Sequence, residues 1–350
     1  MDNSVKISVI VPSYNQGEYI DNVIQSVINQ NYNNWELIIQ DGASNDCTAE
    51  VCEKYVNVDS RITFISEKDN GYADAVNKAL DRATGELAVI QSSDDFFACN
   101  KVFEDVIGKY VNNKNLIIIS GSSVTVNENL ELFSTREMCE KYVPIENIFT
   151  TKDHFSQSAT FFSVKRALTI GKLNSKVDMV ADTDFWIRMA CSQPISINSI
   201  LQISKIYGGV VIQENQRTSD LSKFYLGRAQ MAVNFLFDEI IPFSTEYKKR
   251  NANNFIQAGI SHYKNIQKDI LPFRILHKEV NGEEYEEPQI KKEKKTLKYY
   301  AKLWKKNVKK IFVYRNTQEV TIKTPSAINS KSEYYSDNAN NPLIKYKWWI

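Results

Sequence analysis

Short runs of β-branched and other hydrophobic residues alternate with amphipathic stretches over the first ninety residues. The runs predict strands at 7–11, 35–39, 62–65 and 86–90, and the amphipathic stretches predict helices at 17–29, 49–55 and 72–83. In the first helix, the spacing i, i+3, i+4, i+7, i+8 marks one buried face, formed by Ile20, Val23, Ile24, Val27 and Ile28. Strands that alternate with helices build a parallel sheet with helices on its faces. We therefore expect an α/β fold with a mostly parallel central sheet flanked by helices.

The alternation weakens in the second hundred residues. Strand-like runs occur at 116–119, 159–162 and 195–206, with one helical run at 183–191. From residue 221 the hydrophobic residues return to helical spacing, and the Ser/Asn-rich stretch 324–341 is expected to be poorly ordered. We predict one domain over 1–220, with halves 1–105 and 106–220, followed by a mainly helical C-terminal extension over 221–350.

The composition is that of an ordinary globular protein, with 43% hydrophobic and 24% charged residues among 350. No stretch approaches the 18 consecutive apolar residues of a membrane span, and the N-terminus lacks the pattern of a secretory signal. The five cysteines never form a CxxC pair and the three histidines never lie four residues apart, which argues against a zinc framework and an HExxH protease. We expect reduced, buried thiols in a cytoplasmic protein.

The charge is distributed unevenly along the chain. Segment 291–315 holds eleven Lys or Arg and one acid, so the other 325 residues carry a net charge of −9 although the whole chain carries +1. Its Trp, Tyr and aliphatic residues follow helical spacing, which is typical of a helix lying on an anionic membrane surface. The alternative is a helix that packs its apolar face on the protein. The acidic body disfavours nucleic acid as a partner, and the C-terminal helices could pair in a homodimer.

Polar residues follow each of the first four predicted strands. They are PSYN at 12–15, DGASND at 41–46, EKDNG at 67–71 and SSDD at 92–95. Because ligands of such sheets bind beyond the carboxyl ends of the strands, we expect Asp41, Asp74 and Asp94 to converge around one cation. Oxygen ligands without His or thiolate favour Mg²⁺ or Mn²⁺ shared with a diphosphate. Each acid taken alone could instead cap a helix or a turn, or be a solvated surface acid.

Two other nucleotide-binding patterns are absent from the sequence. No GxGxxG follows the first strand, so a dinucleotide site is not supported, and no GxxxxGK[ST] motif marks a P-loop. With few glycines at the first turn, backbone amides alone could not surround a phosphate. A cation held by acids is the expected substitute.

Several stretches occur in a characteristic order: SVIVPSYNQGEYI from residue 8, IIQDGASNDCT ending at 48, SEKDNGYADAVNKAL from 66, and SSDD at 92–95. QSATFF at 157–162 and ADTDFWIRMA at 181–190 follow. Together they resemble the family 2 glycosyltransferases, inverting enzymes of the GT-A fold that use nucleotide-diphosphate sugars. The resemblance covers residues 5–209, about 60% of the chain, and it assigns 1–105 to the nucleotide-sugar and 106–220 to the acceptor.

On the donor side, the resemblance implies roles for residues at the four strand ends. Pro12 and Tyr14 would line the base and ribose pocket, and Asp41 would accept a hydrogen bond from the base imide. Asp74 would face the ribose or the diphosphate. Ser93 and Asp94 stand in the place of the family's DxD metal motif, with Asp94 as the metal ligand. The first position of that motif is Ser92, so weaker or water-mediated metal binding is expected.

On the acceptor side, the resemblance implies that Asp182 is the general base for the acceptor hydroxyl. Asp184 and Trp186 share its helix and are candidates for acceptor contacts, although a Trp at that spacing is more often a core residue. His154 and Gln157 precede the strand at 159–162 and could face the cleft or serve as structural hydrogen-bonding groups. The usual Glu before the base is Ala181, which weakens the expected positioning of the acceptor.

The resulting expectation is a metal-assisted, inverting transfer of sugar from a nucleotide-diphosphate sugar, with UDP favoured, to a glycan or lipid-linked acceptor. A role in bacterial surface polysaccharide, capsule or lipopolysaccharide synthesis would place the protein in the cytoplasm or at the inner face of the membrane. One alternative is a nucleotide-binding scaffold of the same fold in which Ser92 and Ala181 mark lost catalysis. A sugar-1-phosphate nucleotidyltransferase is disfavoured because SYNQ at 13–16 is not a Gly- and Arg-rich loop.

Overall fold

The computed structural model describes residues 4–152, 155–191, 198–213 and 220–286 of the chain. Three sequence-based predictions fall elsewhere: His154, the basic segment 291–315 and the stretch 324–341 lie outside the described residues. The account below concerns the described residues.

All seven elements predicted in the first ninety residues are present. The strands are β1 (Ile7–Ser13), β2 (Trp35–Asp41), β3 (Ile62–Ser66) and β4 (Leu87–Ile90). The helices between them are α1 (Ile20–Ile28), α2 (Thr48–Val56) and α3 (Tyr72–Arg82). The predicted face of α1 is buried at four of its five positions, Ile28 being only half-buried. The hydrophobic periodicity alone therefore located this part of the fold.

The second part adds six strands and most of the helices. The strands are β5 (Phe96–Phe97), β6 (Ile118–Asn127), β7 (Leu132–Arg136), β8 (Lys141–Tyr142), β9 (Thr160–Ser163) and β10 (Ile200–Ile212). The helices are α4 (Val102–Asn112), α5 (Ile145–Phe149), α6 (Val164–Thr169), α7 (Ala181–Cys191), α8 (Leu221–Phe237), α9 (Thr245–Asn265) and α10 (Leu271–Asn281). Short 3₁₀ turns occupy Gln157–Ala159 and Ser175–Val180.

One ten-stranded sheet contains all the strands, in the order β3-β2-β1-β4-β9-β6-β10-β5, with β7 beside β6 and β8 beside β10. Strands β3, β2, β1 and β4 are parallel neighbours. Strand β9 is antiparallel to both β4 and β6, whereas β10 is parallel to β6. Six strands thus run in one direction, and the α/β fold with a mostly parallel sheet is confirmed. The carboxyl ends of β1 to β4 meet at a single edge.

Strand β10 begins at Ile200 and extends further towards the C-terminus than the predicted run 195–206. The run was expected to end at residue 206, but the strand continues through Gly208 and Gly209 to Ile212. A Cβ atom built on Gly209 would lie 2.1 Å from Cζ of Phe96, so the ring of β5 occupies the space of the missing side chain. The glycine that weakens the strand pattern in the sequence is therefore what lets β5 pair with β10.

Both faces of the sheet are covered by apolar layers. Alternate residues of β1 point to opposite layers, with Val9 and Val11 on the side of α1, α2 and α4, and Ile10 on the side of α3 and α7. Helix α8 joins the second layer through Met231 and Phe235. Its other side packs with α9 and α10 in a separate apolar cluster. The helical segment that follows residue 220 is thus attached to the sheet domain through α8.

Two helical glycines differ in their surroundings and provide a matched test of this packing. A Cβ atom on Gly259 of α9 would lie 2.0 Å from Cε1 of the buried Phe273 in α10, whereas Gly108 of α4 is exposed with nothing within 4 Å. We expect Gly259→Ala to lower the free energy of unfolding by about 1–3 kcal/mol through overpacking. Gly108→Ala should raise it by up to about 1 kcal/mol through helix propensity. Urea denaturation of both variants checks this, and changes of the same sign would contradict the packing of α9 against α10.

The surroundings of the cysteines and the length and polarity of the helices can be compared with the sequence analysis. All five cysteines are free, as predicted, but Cys47 and Cys139 are exposed because they lie in surface segments outside the two apolar layers. The expectation of uniformly buried thiols is therefore corrected. Within the described ranges, the helices are all too short or too polar to cross a membrane.

Candidate functional site

A cavity of about 830 Å³ opens at the edge where the carboxyl ends of β1 to β4 meet. Residues from all four strand ends line it, together with the first turn of α3 and the residue after β10. They are Pro12, Ser13, Tyr14, Gln16, Gly42, Ala43, Lys68, Asp69, Gly71, Tyr72, Ala75, Ser92, Ser93, Asp94 and Gln213. The structure thus brings together four of the predicted donor-side residues: Pro12, Tyr14, Ser93 and Asp94.

On one side of the cavity, the ring of Tyr14 and the carboxylate of Asp69 both lie next to Gly42, and we call this part of the cavity the Tyr14 slot. Gly42 forms its floor, because a Cβ atom there would lie 2.7 Å from Oδ2 of Asp69 and 3.2 Å from Cδ2 of Tyr14. The Tyr14 side chain is 63% exposed, so its ring is available to a planar ligand. An exposed aromatic face beside an acceptor-only carboxylate is suited to a nucleobase that carries a ring N–H.

Hydrogen bonds between the loops after β1 and β2 fix the shape of this wall. Asn15, at φ 52°, donates its backbone N–H to Oγ of Ser44 at 2.7 Å and accepts from the backbone N–H of Asn45 at 3.0 Å. Asp46 accepts from the backbone N–H groups of Gly17 and Thr48 at 2.9 and 3.0 Å. Burial raises the pKa of Asp46, but hydrogen bonds from the Thr48 hydroxyl and from these two backbone N–H groups outweigh it and hold that pKa below its usual value. These hydrogen bonds join the loop after β1 to the loop after β2 beside the slot.

Asp41 is placed differently from the expectation. Its side chain is 1% exposed and does not line the cavity. Its oxygens accept from the backbone N–H of Ser44 at 2.8 Å, from the hydroxyl of Ser44, and from the hydroxyl of Ser66 at 2.7 Å. In the structure Asp41 therefore ties the end of β2 to the end of β3, behind Gly42.

Asp74 stabilises the loop that leads into α3. Its Oδ2 accepts from the backbone N–H of Asn70 at 2.9 Å and lies 3.7 Å from Nζ of Lys78. Two residues before Gly71, Asp69 accepts the backbone N–H of that glycine at 2.9 Å. Gly71 adopts φ 104°, a left-handed conformation that favours glycine. Asp74 thus acts on the cavity through this loop, while Asp69 lines the cavity directly.

The acidic pair after β4 is half-buried at Asp94 and fully buried at Asp95. Nε2 of Gln213 donates to Oδ2 of Asp94 at 2.9 Å, and Asp95 accepts from the backbone N–H of Val211 at 3.3 Å. Burial raises the pKa of Asp94, and burial together with the neighbouring Asp94 charge raises the pKa of Asp95 well above its usual value. A cation bound at Asp94 would lower the pKa of this carboxyl again, because the positive charge stabilises the ionised carboxylate.

Gln157 reaches the same edge from the turn before β9. Its Nε2 donates to Oγ of Ser92 at 3.3 Å, and its Oε1 accepts from the hydroxyl of Tyr72 at 2.7 Å. Ser92 and Tyr72 both line the cavity. Gln157 therefore links the two sides of the cavity wall, which is consistent with either a structural or an acceptor-facing position.

Helix α7 carries three of the acceptor-side candidates and places them in different surroundings. Asp182, in its first turn, is half-buried and accepts the backbone N–H of Thr183 at 2.7 Å. Asp184 is 1% exposed and pairs with Arg188 at 2.6 Å, and burial raises its pKa despite this ion pair. Trp186 is 3% exposed and packs against Phe162. Asp184 and Trp186 thus belong to the interior. Two residues along the helix, Asp184 points away from Asp182, whereas Trp186, four residues along, shares the side of Asp182 but is covered by the aromatic residues around it.

The carboxylates do not meet around one point as expected. Among the described residues, no group of three or more His, Cys, Asp or Glu side chains is arranged to hold a metal ion. Of the three acids, Asp94 alone lines the cavity, since Asp41 and Asp74 use their oxygens within the loops. The donor set at Asp94 consists of one carboxylate with the hydroxyls of Ser92 and Ser93 nearby in the lining. Such oxygen ligands fit Mg²⁺ or Mn²⁺ only if a diphosphate supplies others.

Lys68, Asp69 and Gln213 are among the lining residues that were not selected as site residues from the sequence. The sequence gives a signal for Asp69, because an Asp two residues before a glycine in a strand-end loop is a common turn residue. Gln213 lies 119 residues from Asp94 and follows a long strand, and nothing in its local sequence marks it. Only the pairing of β10 beside β6 brings it to this edge.

Residues 8–171 match the model of the family described as Glycosyl transferase family 2. Among curated relatives, a putative teichuronic acid biosynthesis glycosyltransferase, TuaG of Bacillus subtilis, is 40% identical over 97 residues, 27% of this chain and 38% of TuaG. The glycosyltransferase GlyG of Streptococcus pneumoniae is 29% identical over 174 residues, 46% of this chain and 57% of GlyG. The chain thus spans about two fifths to three fifths of the length of these relatives.

Solved structures of S. aureus TarS share the fold. The complex of TarS with UDP-GlcNAc aligns with a TM-score of 0.58 at 19% identity, covering 81% of this chain and 93% of that chain. The complex with UDP aligns with a TM-score of 0.56 at 20% identity, covering 74% of this chain and 73% of that chain. At this level of identity the similarity concerns the fold, which is of the GT-A type.

Proposed function

Because residues 8–171 form a glycosyl transferase family 2 domain, we propose that the protein transfers a sugar from a nucleotide-diphosphate sugar to a glycan or lipid-linked acceptor. The observation that carries this proposal is the cavity at the carboxyl edge of β1 to β4, where Asp94 and the Tyr14 slot lie on one surface. TarS structures hold UDP and UDP-GlcNAc, which makes UDP the first nucleotide to consider. The teichuronic acid relative favours an acceptor in bacterial surface polysaccharide synthesis.

In this proposal the nucleotide lies across the cavity from the Tyr14 slot towards Asp94. The base stacks on Tyr14 and its ring N–H donates to a carboxylate, for which Asp69, half-buried in the cavity lining, is the candidate. Lys68, an exposed cation of the lining, provides positive charge for the diphosphate. Gln213 holds the Asp94 carboxylate in place through its 2.9 Å hydrogen bond.

Asp94 would hold Mg²⁺ or Mn²⁺, and the ion when bound would supply Lewis-acid stabilisation of the departing diphosphate. The chain's own contribution is to keep the Asp94 oxygens directed into the cavity and to limit their access to water. Ser92 replaces the first carboxylate of the family's metal motif, so the ion would depend on the diphosphate for more of its ligands. We therefore propose metal binding that is weak without nucleotide and tighter with it.

Asp182 is the proposed base that removes the proton of the acceptor hydroxyl. It does not line the cavity, but α3, which does, packs against the turn Ser175–Val180 that leads directly into Asp182. An acceptor lying over α3 would have its hydroxyl between Asp182 and the donor. Attack from the face opposite the diphosphate would invert the anomeric carbon in a single displacement.

The proposal is tested by thermal denaturation of the full chain with UDP, GDP and uridine, each with and without Mn²⁺. We expect UDP to raise Tm, and Mn²⁺ to enlarge the increase, because ligands that bind the folded state stabilise it by mass action. Uridine is the matched control, since it keeps the base and lacks the diphosphate, and Mn²⁺ should not change its effect. If neither diphosphate changed Tm at millimolar concentration, the proposed donor site would be wrong.

One observation favours a second candidate, a nucleotide-binding scaffold without transferase activity. Ser92 and Ala181 replace two acids of the family's pattern, and Asp182 stands apart from the cavity lining. A chain that binds UDP in the thermal test but releases no UDP from UDP-sugars with cell-envelope glycans as acceptors would support it. Release of UDP that depends on acceptor would exclude it.

A further inference from the structure

A second cavity, of about 620 Å³, lies between the segment after α5 and helices α8 and α9. Three cationic side chains line it, Lys152, Arg228 and Arg250, and the described lining contains no carboxylate. None of the three forms an ion pair with a carboxylate of the described residues. In a body with a net negative charge, three cations that line one cavity without a carboxylate in its described lining indicate a site for an anion.

Arg228 is the most strongly positioned of these cations. Its guanidinium donates to the hydroxyl of Thr151 and lies 4.7 Å from the ring centre of Phe255. Its Nε is buried without a hydrogen-bond partner, which is costly for a charged donor. Burial lowers the pKa of Arg228, so the protein holds this charge at a cost that a bound anion would offset.

The other lining groups are those of a saccharide site. Tyr225, Tyr247 and Phe255 present aromatic surface, and the guanidinium of Arg250 lies 5.0 Å from the ring centre of Tyr247. Asn254 adds an exposed amide. Aromatic rings stack on the apolar faces of sugar rings, amides bind hydroxyls, and the guanidinium groups match the geometry of phosphate or carboxylate.

We propose that this cavity binds the oxyanion, a phosphate or a carboxylate, of an anionic saccharide acceptor. That the bound saccharide is the acceptor rests on the proposed function. Burial lowers the pKa of Arg228, and the charge of Asp182, the proposed base, is near enough to oppose part of that lowering. The anion would thus anchor one part of the acceptor beside α8 while another part reaches Asp182. A neutral sugar would bring no negative charge to the three cations of the lining.

The test compares glucose 6-phosphate, glucuronate and glucose as probes of the full chain by isothermal titration or ligand-observed NMR. These three probes share a pyranose ring and differ in the group at C6. We expect at least one anionic probe to bind about tenfold or more tightly than glucose, and the preferred anion distinguishes phosphate from carboxylate. Equal affinity for all three, or no detectable binding of either anion, would overturn the proposal.

Variants then locate the binding. Arg250→Gln, at an exposed position, and Arg228→Gln should each lower the affinity for the anionic probe about tenfold and leave the affinity for glucose unchanged. Lys249→Gln is the matched control, because it removes a neighbouring charge of α9 that does not line the cavity. If Arg250→Gln and Lys249→Gln both bound the anionic probe as tightly as the wild type, the assignment of the binding to this cavity would be wrong. This conclusion does not depend on whether Arg228→Gln folds.

The donor test keeps the two proposals apart. The Tm increase with UDP should be the same in Arg250→Gln as in the wild type, since the two cavities share no lining residue. A wild type that binds the anionic probe but not UDP would contradict the proposed function and retain the anion site. A wild type that binds UDP but neither anionic probe would contradict the proposed anion site and leave the proposed function intact.

Discussion

Replacing Asp182 with Asn is expected to lower the rate of sugar transfer by about 10²–10⁴-fold while the affinity for UDP stays unchanged. The amide keeps the size of the side chain but cannot take the proton of the acceptor hydroxyl, and general-base catalysis contributes rate factors of this order. Asp182 does not line the donor cavity, so its removal should act on turnover and not on nucleotide binding. The measurement is release of UDP from UDP-sugar with a cell-envelope glycan acceptor, together with the Tm increase caused by UDP.

Asp81→Asn serves as the control for this variant. Asp81 lies on α3 with a 58% exposed side chain that contacts Lys172, away from the cavity lining. Its substitution should leave both transfer and UDP binding near the wild-type values, because exposed ion pairs contribute little. Transfer by Asp182→Asn within about threefold of the Asp81→Asn rate would reject Asp182 as the base, since it is far below the expected factor.

Asp94→Asn should lower transfer by about 10²–10³-fold and, unlike Asp182→Asn, should also abolish the extra stabilisation that Mn²⁺ gives with UDP. Asp94 is the single carboxylate of the described DxD-like segment that lines the cavity, so the amide leaves the ion without its charged protein ligand. Stabilisation of charge on the leaving group accounts for rate factors of this size. The measurement is UDP release and Tm with UDP over a range of Mn²⁺ concentrations.

The pH dependence of metal activation provides an internal check on Asp94. Because burial raises the pKa of this carboxyl, protons compete with the cation, and activation by Mn²⁺ should weaken as the pH falls towards that raised pKa. Asp182→Asn should keep the same metal dependence at its reduced rate. If Asp94→Asn retained full Mn²⁺ enhancement of UDP binding, Asp94 would not be the metal ligand.

The donor half of the fold was predictable because its signals are local. The spacing of Val23, Ile24 and Val27 fixes which side of α1 is buried, and the short runs of β1 and β2 are separated by recognisable turns. The strand ends were therefore identified correctly as the place of the cavity. Pro12 and Tyr14 line it because they directly follow the buried part of β1.

The orientation of the acids was not predictable in the same way. Asp41, Asp69 and Asp94 all stand near strand ends, yet the sequence does not indicate which oxygens remain available. The hydroxyl of Ser66, at the end of the neighbouring strand, donates a hydrogen bond to Asp41. The carboxylate of Asp69 stays open to the cavity because Gly42 beside it has no side chain. The availability of a carboxylate thus depends on hydrogen bonds from other elements.

The sequence by itself determined the alternation of strands and helices, the edge at which the cavity opens, and the match of residues 8–171 to the family model, since each follows from residues close together in the chain. Only the tertiary structure decided that Gln213 supports Asp94, that Asp184 and Trp186 are interior residues, and that three cations surround a second cavity. The physical reason is that these groups meet across large sequence separations, where register, helix rotation and packing of α8 against α9 set the distances.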